Sequence, residues 1–407
     1  MRMIEERKMI WVGRGLIVLL LLFSGCGQSS DDDGPDGVIA PDTTPDDGIT
    51  EDGKALDATE DAVGPPGKTI TVPEGACCIS MGEEWIVWAQ DGDLWGYDRL
   101  LDDAHVLVED GWTQKDPVMD GTRVVWADNR NGTFDLFALD LETMETTAVV
   151  EAPDDQHSPS LSGDALVYVH QPLVMTETGA IDTARADIWM IDLSTEADAK
   201  PLVQDDAEQR YPDIRGTKVV WSDFRNDPER RYHDFQSVAN NNGDIFGYDL
   251  DKGEEIVVTI NEAKQLRPAV EGDTVVWLDW RHSVIGIEPL PKYDDFKVYA
   301  YSMTSQVEMA LAGGMWKQPK LWRRPVLQDG LVAWIVEDRV NGEVVGTAVN
   351  VSSVSQAFNG GPLEATRVVQ VDAILTAIDM LAGSLSWIGD GQVGVASLNV
   401  LMEQVGQ

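Results

Sequence analysis

The chain has 407 residues, with 71 Asp plus Glu against 30 Lys plus Arg, a formal net charge of −41. That balance excludes nonspecific binding to DNA or RNA, which needs clustered cations, and it disfavours adsorption to an anionic membrane surface. Three cysteines are too few for a disulfide framework, 43% hydrophobic content suffices for a packed core, and 14 Trp outnumber 8 Phe and 8 Tyr, so Trp is used repeatedly.

The first element is an address. Leu16 to Phe23 is an apolar run that follows Arg14 and ends in Ser24-Gly25-Cys26. It is too short to span a bilayer, which takes about 20 residues, and it fits the apolar region of an export signal. Leu22-Phe23-Ser24-Gly25-Cys26 resembles a bacterial lipobox, with Phe23 where Leu is more usual. The resemblance implies that Cys26 is lipidated and becomes the first mature residue. Gly27 in the next position implies sorting to the outer membrane, facing the periplasm or the cell surface. A plain secretory signal is the alternative. Glu5 and Glu6 are unusual ahead of such a run, which makes Met9 an alternative start. Residues 1–25 are therefore read as an export signal.

Gln28 to Pro66 holds 12 Asp or Glu and one Lys, without apolar periodicity. Such a segment cannot bury enough surface to fold, and self-repulsion extends it. Residues 26–66 read as a lipid-anchored, disordered acidic linker, and residues 67–407 as the folded unit.

From there one pattern recurs. Asp120 to Asp128 contains Val-Val-Trp126, followed by Asp135-Leu-Phe-Ala-Leu-Asp140 and a further strand-like run near Thr147 to Val150. The equivalent aromatic anchors are Trp88, Trp126, Tyr168, Trp221, Trp277, Trp334 and Trp387, spaced 38 to 57 residues apart. A strand opening on Pro and closing on Gly precedes most anchors, as in Pro117 to Gly121, Pro159 to Gly163 and Pro212 to Gly216. Pro suits a strand start and Gly the hairpin after it. Period-two alternation and four short strands per unit predict an all-β, seven-bladed β-propeller of four-stranded antiparallel blades. Six blades is the alternative, if the chain ends share one blade. Lys68 to Val72 reads as a spare strand that pairs with the last blade near Asn399 to Gln404 and closes the ring.

Tyr211-Pro-Asp-Ile-Arg-Gly-Thr-Lys-Val-Val-Trp-Ser-Asp-Phe-Arg225 resembles the TolB-type propeller repeat, and the resemblance runs from about Pro73 to Gln404. It implies the fold strongly and a function weakly.

Within the repeat, Trp126, Trp221 and Trp277 are each followed by x-Asp-x-Arg: Asp128 with Arg130, Asp223 with Arg225, Asp279 with Arg281. Asp338-Arg339 is an offset copy. Spacing of two puts Asp and Arg on one strand face. Recurrence favours an intrablade ion pair over a ring of charges around a mouth, and it favours packing wedges over sugar platforms for the Trp residues. Gln114, Gln156, Gln209 and Gln265 each stand three residues before a Pro, where backbone groups at a blade junction need partners. Cys77 and Cys78 read as two buried thiols, a vicinal disulfide being the strained alternative.

Irregularity marks the candidate site. The long insertions, His170 to Ala186, Asn226 to Gly243 and His282 to Asp295, all fall between the second and third strands of blades three to five. The connection Met315 to Arg324 lies on the same face. Insertions on one face of a repeat protein mark its binding face. These segments carry Arg230, Arg231, Tyr232, Arg281, Lys292, Tyr293, Trp316, Lys320, Trp322, Arg323 and Arg324. Arg, Tyr and Trp anchor interfaces and suit acidic sugars.

The expected function is a noncatalytic, monomeric scaffold, without cofactor, that binds an envelope protein or an acidic glycan. No Gly-x-Ser-x-Gly or His-Glu-x-x-His occurs. The alternative follows from resemblance: some TolB-like propellers resemble oligogalacturonate lyases, which hold a metal by His and Gln. That reading points to His157, His233 and His282 as metal ligands, with Gln156 or Gln209 beside them.

Overall fold

The computed structural model describes residues 67–405, except 73–74, 176–180, 184, 196, 229, 231–241, 282–293, 317–323, 341–342, 361–364, 373 and 390. The export signal, the acidic linker and Cys26 lie outside the described residues.

The described residues form seven four-stranded antiparallel blades. Blade one is Cys77–Met81, Trp85–Gln90, Asp93–Asp98 and Asp103–Val108, and blade two is Gln114–Asp120, Arg123–Asp128, Asp135–Asp140 and Glu145–Val150. Blade three is Asp155–Ser162, Ala165–Gln171, Asp187–Asp192 and the short Lys200–Pro201. Blade four is Gln209–Arg215, Lys218–Asp223, Asp244–Asp249 and Glu254–Thr259. Blade five is Gln265–Glu271, Thr274–Asp279, Asp294–Ser302 and Val307–Trp316, and blade six is Val326–Gln328, Leu331–Val340, Glu343–Ser353 and Thr366–Val371. Blade seven takes Leu375–Leu381, Ser384–Gly389 and Gln392–Ser397 from the C-terminal end and Lys68–Thr71 from the N-terminal end. The first strand of each blade packs against the first strand of the next, and that of blade seven packs against that of blade one. This closes a ring of seven, not six.

The second strands are buried on both faces, which is why they read as near-continuous apolar runs. Alternate side chains serve alternate neighbours. In Arg123–Asp128, Val124 and Trp126 pack with Val87 and Leu94 of blade one. Val125 and Ala127 pack with Leu166 and Tyr168 of blade three. All seven aromatic anchors are buried. They are the wedges between blades, and truncating one would cost about 3–5 kcal/mol.

Polar side chains stitch the ring from inside. Ser80, Ser160, Asp213 and Asp379 occupy the same register position in the first strands of blades one, three, four and seven. Each accepts a backbone N–H from the next blade: Met119 N to Ser80 Oγ at 3.1 Å, Ile214 N to Ser160 Oγ at 3.1 Å, Val270 N to Asp213 Oδ2 at 2.8 Å and Met81 N to Asp379 Oδ2 at 2.7 Å. The last of these joins the two ends of the ring.

The spare N-terminal strand closes the ring, but not where the sequence placed it. Lys68 to Thr71 pairs with Val395 to Gln392. Residues 399–404 lie in the helix Leu398–Val405 instead. Leu398 and Leu401, three residues apart, are buried beside Val368 and Val369 of blade six. Three-residue apolar spacing is helical, and the period-two run ends at Ser397.

Candidate functional site

The site is built on the edge where the first strands begin. Gln209 pairs with Asp223, which pairs with Asp244. Gln156 pairs with His170, which pairs with Asp187. The second-to-third connections therefore leave the edge at which the chain enters each blade. At this edge the second strand ends and the third begins at Gln171 and Asp187 in blade three, at Asp223 and Asp244 in blade four and at Asp279 and Asp294 in blade five, whereas the two strands follow one another closely in blades one, six and seven. Blade three adds a small hairpin, Leu173–Met175 with Ile181–Thr183. In blade five, Lys297 stands opposite Asp279, yet the outer pairing continues to Asp294 with Trp316, so this hairpin extends beyond the blade edge. At the opposite edge the first and second strands are joined by tight hairpins, such as those at Gly163 and Gly216, whose φ of +59° and +57° suits glycine; the longer connections there are that between Asp192 and Lys200 in blade three and that between Ser353 and Thr366 in blade six, which opens with the short helix Val354–Phe358.

The repeated Asp and Arg form clamps. Trp126 Nε1 donates to Asp128 Oδ2 at 3.2 Å, and Arg130 closes a bidentate pair on Asp128 at 3.0 and 2.6 Å. The Arg130 guanidinium lies 4.1 Å over Phe137. Blade four repeats this with Trp221, Asp223, Arg225 and Phe246, and blade five with Trp277, Asp279, Arg281 and Tyr299. In blade one, Trp88 donates to Gln90 at 3.1 Å. Burial opposes the charge on Asp128, but the bonds from Arg130, Trp126 and Gln114 outweigh it and hold the carboxyl below its ordinary range. The intrablade reading of these pairs is what the geometry shows. The offset Asp338 pairs with Arg367 instead.

The Gln residues are buried at the blade junctions. Gln156, Gln209 and Gln265 donate to the carbonyls of Asp154, Ala207 and Ala263, at 2.7, 2.9 and 2.6 Å. Just after each Gln the strand bulges. Asp116, Ser158, Tyr211 and Arg267, each preceding a Pro, have φ between +51° and +59°. Cys78, at the matching place in blade one, has φ +58°.

The first strands surround the central channel of a propeller, so these bulge residues, placed where those strands enter their blades, flank its mouth. Cys78 Sγ lies 3.6 Å from Asp116 Oδ1, and the Arg267 guanidinium lies 4.1 Å over the Tyr211 ring. Arg324, before Pro325 in blade six, reaches past blade five. Its Nη1 donates to Asp213 Oδ1 at 2.6 Å and to the Pro212 carbonyl at 3.3 Å. Deeper in, Asp379 accepts from Met81 N and Met380 N. Burial pushes its carboxyl up to about 6, although those bonds and the cations of Arg215 and Arg324 pull the other way.

The sequence-derived site residues divide as follows. Arg230 is exposed at the start of the blade-four insertion. Arg281 is committed to its own blade, on Asp279 and Glu308 at 2.7 and 2.5 Å. Arg324 is committed to Asp213. Trp316 ends the outer strand of blade five. Arg231, Tyr232, Lys292, Tyr293, Lys320, Trp322 and Arg323 lie outside the described residues. Sequence reasoning missed Trp112, Val174 and Met175, which are 51%, 42% and 70% exposed on this same face. Trp112 could have been found as an aromatic with no place in the repeat.

Of the candidate metal ligands, His233 and His282 lie outside the described residues. His157 is buried, with Nδ1 3.0 Å from Ser158 Oγ. Burial and the nearby cations of Lys115 and Arg210 hold its pKa well below the ordinary value. Those two cations make the surroundings of His157 a poor fit for a metal ion. Among the described residues, no three His, Cys, Asp or Glu are gathered as ligands. Nor is any described helix long and apolar enough to cross a membrane.

No family model matches the sequence, and no curated protein sequence matches it. Solved structures do. A puromycin hydrolase S511A mutant matches at 10% identity with a TM-score of 0.56, over 81% of this chain and 52% of that one. The oligogalacturonate lyase of Vibrio parahaemolyticus matches at 11% identity with a TM-score of 0.53, over 81% and 98%. TolB from Acinetobacter baumannii matches at 13% identity with a TM-score of 0.41, over 66% and 57%. At these identities the likeness is one of fold, and the fold is the seven-bladed β-propeller.

Proposed function

We propose that the protein is an envelope-anchored, noncatalytic propeller, held at the outer membrane by a lipid on Cys26, that binds a protein or an acidic glycan on the insertion-bearing face of blades three to six. The observation that carries this reading is the asymmetry of the two faces. One joins the first and second strands of every blade by tight hairpins and is lengthened mainly in blade six, at the helix Val354–Phe358. The other gathers the lengthened connections of three consecutive blades, the projecting hairpin of blade five, and exposed Trp112, Val174 and Met175. Exposed aromatic and apolar groups among cations are what interface anchors consist of.

The test is affinity capture from the host's solubilised envelope with the full chain as bait, with captured protein and saccharide both identified. Reversing Arg230, Arg231 and Arg323 to Glu is expected to reduce capture at least about tenfold, the effect of losing roughly 1.4 kcal/mol. Unchanged capture would overturn this placement of the site. The second reading, a metal-dependent polysaccharide lyase, is supported by the fold likeness to oligogalacturonate lyase. It predicts manganese binding that is lost in His233→Ala and His282→Ala, and an unsaturated product from pectate.

A further inference from the structure

Adjacent residues in a regular strand point to opposite faces, so two neighbouring cysteines in a β-strand hold their sulfurs apart. The first strand of blade one breaks that rule. Its pairing shifts between Cys77 and Ser80, and Cys78 is left-handed, with φ +58°. The bulge turns the two side chains toward one another, and Cys78 Sγ lies 3.0 Å from Cys77 Sγ. Blade three shows that this is a property of the bulge. There His157 and Ser158 hold the equivalent positions, and Nδ1 and Oγ also meet at 3.0 Å. Cys77 is buried, while Cys78 is partly exposed beside Asp116 at the channel mouth. Both are thiols.

We propose that this bulge is a redox-modification site, at which Cys77 and Cys78 close a reversible vicinal disulfide by exchange with a small-molecule or protein disulfide. The more exposed Cys78 thiolate attacks one sulfur of the reagent, forms a mixed disulfide and releases one thiol. Cys77 then attacks Cys78 Sγ, forms the intrachain bond and releases the second thiol. The chain loses two protons and two electrons, and the reagent's disulfide gains both as it becomes two thiols. Neighbouring Cα atoms are about 3.8 Å apart, closer than the roughly 4.4 Å at which ordinary disulfides begin. The bond is therefore easily reduced, a responsive link and not a staple. Closing it removes the Cys78 thiol proton from beside Asp116 and so alters the channel mouth.

The test equilibrates the full chain in graded glutathione redox buffers, native and in urea, then quenches with acid, alkylates and digests with trypsin. The peptide Thr69 to Arg99 contains no cysteine other than these two. In the native chain it is expected to lose both alkylation sites and two hydrogens, without an adduct. Half-oxidation is expected at a glutathione disulfide level at least about tenfold lower than in urea, because the bulge holds the sulfurs together in advance. Cys77→Ser is expected to stop at a glutathione adduct on Cys78. Persistence of both thiols, a lasting adduct on the wild-type peptide, equal oxidation in urea, or no adduct on Cys77→Ser would each overturn the proposal.

Discussion

Arg324 Nη1 donates to Asp213 Oδ1 at 2.6 Å, joining blade six to blade four past blade five. Asp213 also accepts Val270 N and the Ser160 hydroxyl, so one carboxylate ties four blades. Removing it strands more groups than removing the arginine does. Asp213→Ala is expected to cost about 2–4 kcal/mol in urea unfolding and Arg324→Ala about 1–2 kcal/mol, with a coupling of about 1 kcal/mol in the double mutant. A coupling near zero would mean that the pair contributes nothing to the ring. Because its guanidinium is already engaged, Arg324→Ala should leave partner capture unchanged, unlike the reversal of Arg230, Arg231 and Arg323.

Ring closure carries a pH dependence. Asp379 holds Met81 N, and its folded pKa of about 6 lies above the ordinary 3.8. A raised carboxyl binds its proton more tightly in the folded state than in the unfolded one. Its contribution is therefore present in full below about pH 3.8 and is lost as pH rises through about 6. Two units correspond to about 3 kcal/mol as an order of magnitude. Asp379→Asn should abolish this part of the slope. In urea unfolding from pH 4 to 7, wild type should lose stability relative to the Asn variant, and parallel profiles would refute the linkage.

The clamps respond in the opposite direction. Asp128 is buried, and Arg130, Trp126 and Gln114 hold its pKa low. Its stabilisation is present above the unfolded carboxyl value, near pH 4, and is lost as pH falls through the lower folded value. Asp128→Ala leaves a half-buried guanidinium and a buried indole N–H without their acceptor, and should cost about 3–5 kcal/mol at pH 7. Below pH 3 the difference from wild type should shrink, which unfolding measured from pH 2 to 7 would show.

These clamps were legible because their chemistry recurs at fixed spacing: Trp, Asp and Arg at i, i+2 and i+4 in three blades can only be local. The blades themselves were legible through Trp126 and its equivalents. The bulges were not. Residues before proline favour extended backbone, yet Asp116, Ser158, Tyr211 and Arg267 are left-handed. Nothing local in Gln-x-x-Pro announces it, because the conformation accompanies a shift in pairing with the second strand. Arg324 reads as a free cation for the same reason: its acceptor Asp213 lies 111 residues away. Nor does one sequence show that Arg281, already paired with Asp279, also reaches Glu308, 27 residues on.

The closing strand makes the last prediction. Lys68–Thr71 covers the outer edge of Gln392–Ser397, and Ile70, opposite Val393, packs with the core between blades seven and one. An uncovered edge of this length is a template for another chain. Ile70→Asp keeps the backbone donors but places a charge against apolar neighbours, so the strand should detach. The expected result is a loss of about 2–4 kcal/mol, with concentration-dependent self-association in sedimentation. Ile70→Val should restore a monomeric ring. If Ile70→Asp stays monomeric with unchanged unfolding, the edge is protected by something other than this strand, and the helix Leu398–Val405 that follows Gln392–Ser397 would be the place to look.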